Sequence, residues 1–326
     1  MMDPEDEIPF HIVSPLKESL ALSKLAGTQV LMKLENIQPV GSFKIRGIGH
    51  YCQKLAKKGC KKFVCSSGGN AGLAAAYACS KLGLPATIIV PECTPKKIIH
   101  KLKELNAEVV VTGKVWDDAD AYAHRLTEAP GSVYISPFNH PLLWEGHSSL
   151  ILELKASLGK QKPGALVVSV GGGGLLAGLV EGIVKVGWSE VPIIAMETVG
   201  AHCLNAALQA GRPVTLPDIT SIAKCLGAKT VCDRALECAK KYKVISVTVD
   251  DKDALAAVEM FLEDELMLVE AACGAALAAV YSGHIQRLQK EGKLEQLAGP
   301  LIMIVCGGSS ISLSELQNFK SQLGMV

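Results

Sequence analysis

Short apolar runs alternate with longer segments of helical periodicity along most of the chain, beginning near residue 61. The runs at 63–65 and 86–90 are bounded by turn residues, which predicts buried strands. The alanine-rich segment 71–82 and the one-sided apolar segment 95–105 are both typical of helices. Strands separated by helices of this length pair in parallel through right-handed crossovers. The pattern therefore predicts an α/β fold.

The alternation continues and forms two series of elements. The first series is completed by predicted strands at 109–111 and 133–135, with a helix from about Trp116 between them. The second series has predicted strands at 165–170, 192–196 and 301–305 and predicted helices at 175–186, 254–262 and 272–289. Two such series predict two open, mainly parallel sheets flanked by helices, with the active site in the cleft between them.

Composition narrows the class of protein. A chain of 326 residues exceeds what one hydrophobic core usually organises, and 49% hydrophobic against 20% charged residues indicates a globular protein. The 33 basic and 32 acidic residues nearly cancel, so no strong field favours a nucleic acid or an anionic membrane as partner.

Cysteine usage and the chain start indicate the compartment. The eleven cysteines lack zinc-like spacing, which predicts free thiols in a reducing, cytoplasmic setting. The acidic segment 1–7 lacks the apolar core of a secretory signal. Residues 163–180 carry no charge, but the glycines in their middle favour strand, turn and helix over a membrane span.

Lys44 is the candidate nucleophile. It follows Phe43 within a turn that begins and ends with glycine, Gly41 to Gly47. Burial there lowers the pKa of an amine and leaves it able to attack an aldehyde, which a Schiff-base lysine requires. Taken alone, the segment favours a solvated basic turn, and only the other motifs change that balance.

A run of glycines marks a candidate phosphate site. Gly171, Gly172, Gly173 and Gly174, followed by Leu175, lie between a predicted strand and a predicted helix. Successive backbone N–H groups and a helix N-terminus there suit a phosphate, whereas a merely tight turn is the alternative. Residues 172–177 also match Gly-x-Gly-x-x-Ala, and Glu197 ends the next strand, so a nicotinamide-dependent dehydrogenase is a rival interpretation. It ranks second because it leaves Lys44 unexplained.

Two further strand ends carry candidate ligands. One loop offers hydroxyls and amides suited to a carboxylate, and it holds Ser66, Ser67, Gly68, Gly69, Asn70 and Ala71. Cys306 ends the last predicted strand, where its thiol can hydrogen-bond a ring nitrogen without bringing a positive charge. A simple helix cap and a buried core cysteine are the alternatives.

The ordered set of motifs resembles a known family. A lysine in Gly-Ser-Phe-Lys-x-Arg-Gly is followed by Ser-Ser-Gly-x-Asn-Ala-Gly, then four glycines and leucine, then Cys-Gly-Gly-Ser. Together they resemble the fold-type II pyridoxal-phosphate (PLP) enzymes, specifically the mammalian-type L-serine dehydratase / L-threonine deaminase group. The resemblance covers nearly the whole chain, from about residue 15 to 324. Gly69 is similar to the dehydratase-like paralogue, because the liver-type enzyme has alanine there.

The resemblance implies the reaction and the cofactor contacts. Lys44 would hold PLP as a Schiff base and remove the substrate α-proton, leading from serine to pyruvate and ammonia and from threonine to 2-oxobutanoate. The implied PLP contacts are Phe43 and Gly227 on the ring faces, Asn70 at the 3′-hydroxyl, Gly171 to Leu175 at the phosphate and Cys306 at the ring nitrogen. The loop from Ser66 through Gly68, with Gly69 and Ala71, would hold the substrate carboxylate.

The resemblance also implies an organisation. Residues 1–40 and 145–326 would form a large PLP-binding domain and 41–144 a small domain, in a cytoplasmic homodimer with a monovalent cation such as potassium. Val40, Gly69 and Ala271 depart from the family pattern, which predicts low dehydratase activity. A PLP-binding paralogue with weak catalysis is thus a further alternative, and a serine racemase is disfavoured by Cys306, since that enzyme carries serine there.

Overall fold

The computed structural model describes residues 8–114 and 116–325. The acidic segment 1–7 lies outside the described residues. The helices are Leu20–Ala26 (α1), Lys44–Lys57 (α2), Asn70–Leu82 (α3), Lys96–Glu104 (α4), Trp116–Leu126 (α5), Pro141–Leu158 (α6), Gly174–Lys185 (α7), Cys203–Ala210 (α8), Asp233–Lys241 (α9), Asp251–Glu265 (α10), Ala271–Tyr281 (α11), His284–Lys290 (α12) and Leu313–Leu323 (α13). The strands are Leu16–Glu18 (β1), Val30–Leu34 (β2), Lys62–Cys65 (β3), Ala86–Val90 (β4), Glu108–Val111 (β5), Ser132–Tyr134 (β6), Ala165–Ser169 (β7), Ile193–Thr198 (β8), Val244–Val249 (β9) and Leu301–Val305 (β10).

The strands form two sheets, as the alternating pattern predicts. The larger sheet has the order β1-β2-β10-β7-β8-β9 and the smaller one has the order β5-β4-β3-β6. All neighbouring pairs are parallel except β1 with β2. Strands such as β7 and β10 are buried along their whole length, as expected for parallel strands covered on both faces by helices. The predicted α/β fold with two mainly parallel sheets is confirmed.

One predicted element is wrong. The single helix expected at 272–289 is two helices, α11 and α12, separated at Ser282 and Gly283. Gly283 adopts a φ of 67°, a left-handed conformation that ends helical geometry and that glycine adopts without steric strain. The apolar pattern continues on both sides of this break, so periodicity alone did not reveal it. The domain bounds at 40, 41, 144 and 145 remain a prediction.

Helix α6 holds together the two helices whose first turns reach the cleft. It packs against both α2 and α7. A Cβ atom on Gly146 of α6 would lie 2.5 Å from the carbonyl oxygen of Arg46, and one on Gly178 of α7 would lie 2.4 Å from Cβ of His147. Glycine at these crossings lets the helix backbones approach closely. The positions of the first residues of α2 and α7 are therefore coupled through α6.

Three clusters of buried hydrophobic residues accompany the two sheets in the described part of the chain. The larger core lies around β2, β7, β8 and β10, the smaller core lies around β3, β4 and α3, and a third cluster of four residues lies between β3, β4 and α5. Within the described ranges, we find no helix with the length and apolarity needed to cross a membrane.

Candidate active site

The carboxyl ends of the parallel strands bring the candidate loops together. The loop after β3 begins at Ser66, the glycine run follows β7, and Cys306 follows β10. Ligands bind at these ends in open α/β sheets. Hydrogen bonds join the two sheets here, since Oδ1 of Asn70 accepts from the backbone N–H of Ser309 at 3.1 Å. The structure thus brings the predicted residues to one cleft.

Lys44 is the first residue of α2, and its side chain points to the loop after β6. Its Nζ donates a hydrogen bond of 2.5 Å to the carbonyl oxygen of Pro137 and lies 5.3 Å from the centroid of the Phe43 ring. Burial of the amine lowers the pKa of Lys44 from 10.5 to about 8. An appreciable fraction of this amine is therefore unprotonated near neutral pH, as nucleophilic attack on an aldehyde requires.

The Lys44 turn is tied to the loop after β10. The backbone N–H of Phe43 donates to the carbonyl oxygen of Cys306 at 3.3 Å, and Ser42 and Gly307 form an antiparallel bridge. The Cys306 thiol is buried and lies 3.9 Å from Oγ of Ser169. A hydrogen bond with Cys273, together with burial, raises the pKa of Cys306 well above its ordinary value. The thiol accordingly stays neutral, as predicted for a partner of a ring nitrogen.

The glycine run is enclosed by its neighbours. A Cβ on Gly172 would lie 2.3 Å from the Phe138 ring, and one on Gly173 would lie 2.4 Å from Cβ of Ala235. Gly173 is the N-cap of α7 with a φ of 89°. The first N–H groups of a helix have no intrahelical acceptor, so Gly174, Leu175 and Leu176 offer donors at the positive end of the helix dipole. The turn is a backbone cradle for an anion rather than a loose loop.

The predicted ring-enclosing loop lies beside this cradle. A short 3₁₀ turn spans Lys224–Leu226, and the backbone N–H of Gly227 closes it by donating to the carbonyl oxygen of Lys224 at 3.0 Å. A Cβ on Gly171 would lie 3.0 Å from Cα of Leu226. Gly227 is therefore next to the glycine run, and its contact with a ring stays a prediction.

Asn70 is the first residue of α3, and all its polar atoms are engaged. Its Nδ2 donates to Oε2 of Glu270 at 3.0 Å and approaches Sγ of Cys225 at 3.7 Å. Its Oδ1 accepts from both N–H and Oγ of Ser309, each at 3.1 Å. The amide connects a helix of the smaller sheet with loops of the larger one.

The predicted carboxylate loop divides into two parts. Ser67, Gly68 and Gly69 are partly exposed in the cleft, and Oγ of Ser67 accepts from the backbone N–H of Gly69 at 3.2 Å. Ala71 is buried in the smaller core, so only its backbone is available to a substrate. The first N–H groups of α3 supply donors for a carboxylate, as those of α7 do for a phosphate.

The Ser66 side chain points away from the expected substrate. It is fully buried, and its Oγ donates to Oδ1 of Asp120 at 2.5 Å and lies 2.9 Å from Oη of Tyr134. Its hydroxyl therefore anchors the loop to α5 and β6. Only its backbone is left for the predicted contact with a substrate.

Other candidate residues have structural roles. Both oxygens of Glu197 accept backbone N–H groups of α8, from Leu204 and Asn205 at 2.8 Å each, and burial raises its pKa to about 8. It is fully buried and does not present a carboxylate to a ribose. His147 is buried beside Phe43, with the ring centroids 5.1 Å apart. Over the described ranges, no group of histidine, cysteine and acidic side chains could hold a metal ion.

Sequence reasoning missed two groups of this cleft, the Glu270 carboxylate and the Cys225 thiol. Glu270 is the N-cap residue of α11, so an acidic residue just before an alanine-rich helix was the available signal. The contact of Cys225 has no such local signature.

The residues present fit a phosphate-bearing aldehyde. A buried amine of lowered pKa, a glycine cradle that any Cβ would fill, a fixed amide and a neutral thiol surround one cleft. These are the kinds of group that would bind the aldehyde, the phosphate, the ring hydroxyl and the ring nitrogen of PLP, in the order that the resemblance implies.

Comparison with known proteins also indicates a PLP enzyme. A family model described as "Pyridoxal-phosphate dependent enzyme" matches residues 9–307. The chain is 60% identical over 316 residues to a mouse protein named "Serine dehydratase-like", covering 97% of this chain and 96% of that protein. It is 55% identical over 318 residues to a human "L-serine dehydratase/L-threonine deaminase", covering 97% of each.

A solved structure agrees in fold. The L-serine ammonia-lyase of the fungus Rhizomucor miehei superposes with a TM-score of 0.91 at 36% identity, covering 96% of this chain and 99% of that one. These matches and the internal position of Glu197 leave the dehydrogenase interpretation without support. The chain belongs to the family of pyridoxal-phosphate dependent enzymes.

Proposed function

We propose that this protein is a PLP-dependent L-serine/L-threonine ammonia-lyase. It converts serine to pyruvate and ammonia, and threonine to 2-oxobutanoate and ammonia. The observation that carries the proposal is the position of Lys44. Its Nζ donates to the carbonyl oxygen of Pro137, and the next residue, Phe138, packs against Gly172 and Gly174 of the glycine cradle. The names of the mouse, human and fungal relatives support the choice of substrate.

Lys44 has two tasks in this proposal. Its amine would hold the aldehyde of PLP, and its unprotonated Nζ would take the α-proton of the substrate. Bound PLP would supply an electron sink for the electron pair that this proton leaves behind. The α-proton and the β-hydroxyl together leave as one water, and addition of one water to the imine form of the resulting enamine gives the keto acid and ammonia.

The first turns of two helices bind the two anionic groups. Backbone N–H groups of α7 face the cofactor phosphate, and those of α3, with Ser67, face the substrate carboxylate. Phe43 and the loop at Gly227 would hold the ring.

Cys306 favours elimination over racemisation. Its thiol stays neutral because hydrogen bonding to Cys273 and burial raise its pKa, so it does not protonate the ring nitrogen fully. A weaker electron sink stabilises a carbanion less, and loss of the β-hydroxyl is then the faster exit. Exchange of the serine α-hydrogen with solvent much faster than pyruvate formation would contradict this assignment.

Three departures from the family pattern support a low turnover. Val40 is buried in the smaller core and offers no hydroxyl near the turn, and Ala271 lies at the first position of α11 in place of a more rigid proline. A Cβ on Gly69 would have only Oγ of Ser67 nearby, at 3.8 Å, so the space of a methyl group lies open beside the substrate loop. Turnover equal to that of the liver-type enzyme would refute this part of the proposal.

Further expectations rest on the resemblance. They are a cytoplasmic homodimer and a monovalent cation such as potassium beside the loops at Gly200–Ala201 and Leu226–Gly227.

The test compares wild type with Lys44→Ala and with Lys54→Ala, a control for an exposed lysine of the same helix. We expect wild type and the control to be yellow with PLP, to carry a pyridoxyl group after borohydride reduction, and to release pyruvate from serine. Lys44→Ala should lose the adduct and at least about a thousandfold of the activity. A coloured wild type that releases no keto acid would instead identify a non-catalytic PLP-binding protein. A pyridoxyl adduct on another lysine would refute the assignment of Lys44.

A further inference from the structure

Glu270 is a carboxylate in the cleft, and it has no role in the reaction proposed for this protein. It lies at the N-cap of α11 and is 7% exposed. A Cβ on Gly308 would lie 2.1 Å from its Cδ, so the loop after β10 folds directly over the carboxylate. A charge in such a position is costly unless it is hydrogen-bonded. Its partners therefore indicate why it is there.

Both oxygens of Glu270 accept hydrogen bonds. Oε1 accepts from the backbone N–H of Ser310 at 2.8 Å, and Oε2 accepts from Nδ2 of Asn70 at 3.0 Å. The carboxylate thus joins the loop after β10 to the first residue of α3. With one acceptor oxygen for each donor, the carboxylate satisfies both at once.

The same contacts determine which way the Asn70 amide faces. A carboxylate only accepts, so the atom of Asn70 beside Glu270 must be the NH₂ group. A backbone N–H only donates, so the atom beside N of Ser309 must be the carbonyl oxygen, at 3.1 Å. The two opposed partners exclude the flipped amide.

The second N–H of Asn70 has only a weak acceptor, Sγ of Cys225, and is available to a ligand. The NH₂ group has two hydrogens, and Glu270 takes one of them. The other side of Nδ2 faces Sγ of Cys225 at 3.7 Å, a weak acceptor that also lies within electrostatic reach of Lys44. An oxygen acceptor on a ring attached to Lys44 is a better partner for this N–H than a thiol.

We propose that Glu270 is a positioning residue that holds Asn70 as a hydrogen-bond donor toward the ring hydroxyl of bound PLP. The carboxylate does not touch the reacting atoms and acts through the Asn70 amide. This inference rests on PLP binding at Lys44, which is part of the proposed function, but it does not depend on the substrate.

Glutamine is the informative replacement because it has the same shape and only one acceptor. If its oxygen serves Ser310, its NH₂ group faces the NH₂ group of Asn70 and pushes the amide to flip. The flipped amide then presents oxygen toward the ring hydroxyl and opposes the backbone N–H of Ser309. The colour of bound PLP responds to hydrogen bonding at that hydroxyl, so the flip has a spectroscopic signature.

The experiment measures the visible absorption spectrum and the PLP dissociation constant of wild type, Glu270→Gln, Asn70→Ala and the double variant. We expect Glu270→Gln to shift the spectrum toward that of Asn70→Ala and to weaken PLP binding about tenfold. In the Asn70→Ala background, Glu270→Gln should add no further spectral shift, because its action passes through Asn70. Glu237→Gln, on the exposed side of α9, should leave spectrum and affinity unchanged.

Several outcomes overturn the inference. The inference is wrong if Glu270→Gln has the wild-type spectrum. It is also wrong if Glu270→Gln shifts the spectrum equally in the wild-type and Asn70→Ala backgrounds. If Glu270→Gln does not fold, Glu270→Asp carries the test: its shorter carboxylate should reach only one partner and shift the spectrum in the same direction. Absence of colour in wild type would contradict the proposed function itself, whereas a coloured wild type with an unmoved spectrum in the variants contradicts only the role of Glu270.

Discussion

Helices α2 and α7 both begin at the cleft, but different physical means hold their first turns in place. The start of α2 presents the Lys44 side chain, and the start of α7 presents backbone N–H groups. A cluster of buried charged side chains lies behind the start of α2. Tightly packed residues surround the start of α7. The two ends show what a reactive side chain and an anion site each need from the protein.

The α2 start is anchored by Arg46. Its guanidinium forms bidentate pairs with Glu35, at 2.6 and 2.8 Å, and with Glu153, at 2.6 and 2.8 Å. Arg46, Glu35 and Lys33 are all fully buried, and Lys33 donates to Oε2 of Glu153 at 2.6 Å. Burial opposes the charge, yet the hydrogen bonds to both glutamates raise the pKa of Arg46. The network lies two residues from Lys44 and fixes the direction from which its amine enters the cleft.

The α7 start has no charged anchor of this kind among the described residues around it. Its glycines let Phe138 and Ala235 approach within distances that any side chain would prevent. A flexible amine needs a rigid support behind it, whereas an anion cradle needs unobstructed N–H groups. We therefore expect that loss of a charged partner destabilises the start of α2. We expect that addition of a side-chain atom to a glycine destabilises the start of α7.

The largest expected loss in the free energy of unfolding comes from a substitution at the start of α2. Arg46→Met removes the cation shared by two carboxylates and leaves the fully buried Glu35 without its cationic partner, whereas Glu153 keeps Lys33. Loss of a partner from a buried ion pair typically costs about 3–5 kcal/mol. Denaturant unfolding should report this loss. Arg234→Met, on an exposed ion pair with Glu237 at 3.5 Å, should cost less than about 1 kcal/mol. Equal losses in the two variants would mean that the buried cluster anchors nothing.

The second prediction adds one methyl group on the α7 side. Gly173→Ala combines a φ of 89° with a Cβ that would meet Cβ of Ala235 at 2.4 Å, so we expect a loss of about 3 kcal/mol and weaker PLP binding. Gly187→Ala is the matched control, because its φ is 74° but no atom lies within 4 Å of the new Cβ. It should lose only about 1 kcal/mol. Equal effects would indicate that backbone conformation, and not packing, explains the glycine.

The third prediction uses the amine that distinguishes α2 from α7. Because burial lowers the pKa of Lys44 from 10.5 to about 8, the unfolded chain binds more protons between those values. The free energy of unfolding of PLP-free wild type should therefore rise with pH from about 8 to 10.5, by about 2 kcal/mol after allowance for the partial exposure of the residue. Below pH 8, Lys44→Met should be the more stable protein, and its advantage should shrink as pH rises. A difference between the two proteins that does not change with pH would contradict the lowered pKa.

The smallest expected effect concerns a third helix start on the cleft, that of α11. Ala271 is its first residue, a position where proline is favoured because no intrahelical N–H bond is lost. Glu270 before it has φ of −69° and ψ of 156°, the extended conformation that a residue preceding proline prefers. Ala271→Pro should raise the free energy of unfolding by about 0.5–1 kcal/mol. Ala275→Pro, inside the same helix, should lower it by about 3 kcal/mol, and a loss in both would mean that the ring does not fit at the helix start.

Local pattern predicted most of the architecture. The strands β4 and β10 agree with the sequence interpretation at both ends, since short apolar runs between turn residues have few alternatives in a parallel sheet. The chemistry of Lys44 and the glycine run was also visible, because each depends on adjacent residues. The elements without a predicted counterpart include the longest helix, α6; they are β1, β2, β9, α1, α2, α6, α8, α9 and α13.

The direction of side chains was less predictable. Ser66 was expected to face the substrate, but its hydroxyl serves Asp120 and Tyr134. Both directions are compatible with a serine after a strand, and the choice depends on which helix covers the loop. Likewise, Glu197 had the position of a ribose-binding acid and instead caps α8.

The sequence by itself determined the alternation of elements, the fold class and the kinds of chemical groups available at the strand ends. Tertiary structure decided which of these groups meet. Asn70 and Glu270 are 200 residues apart in the chain, and Lys44 and Pro137 are 93 apart. Periodicity and turn chemistry act over a few residues, whereas contacts between the two sheets depend on how whole helices pack, as α6 packs on α2 and α7. That packing brings the Lys44 amine, the Asn70 amide and the glycine run together in one site.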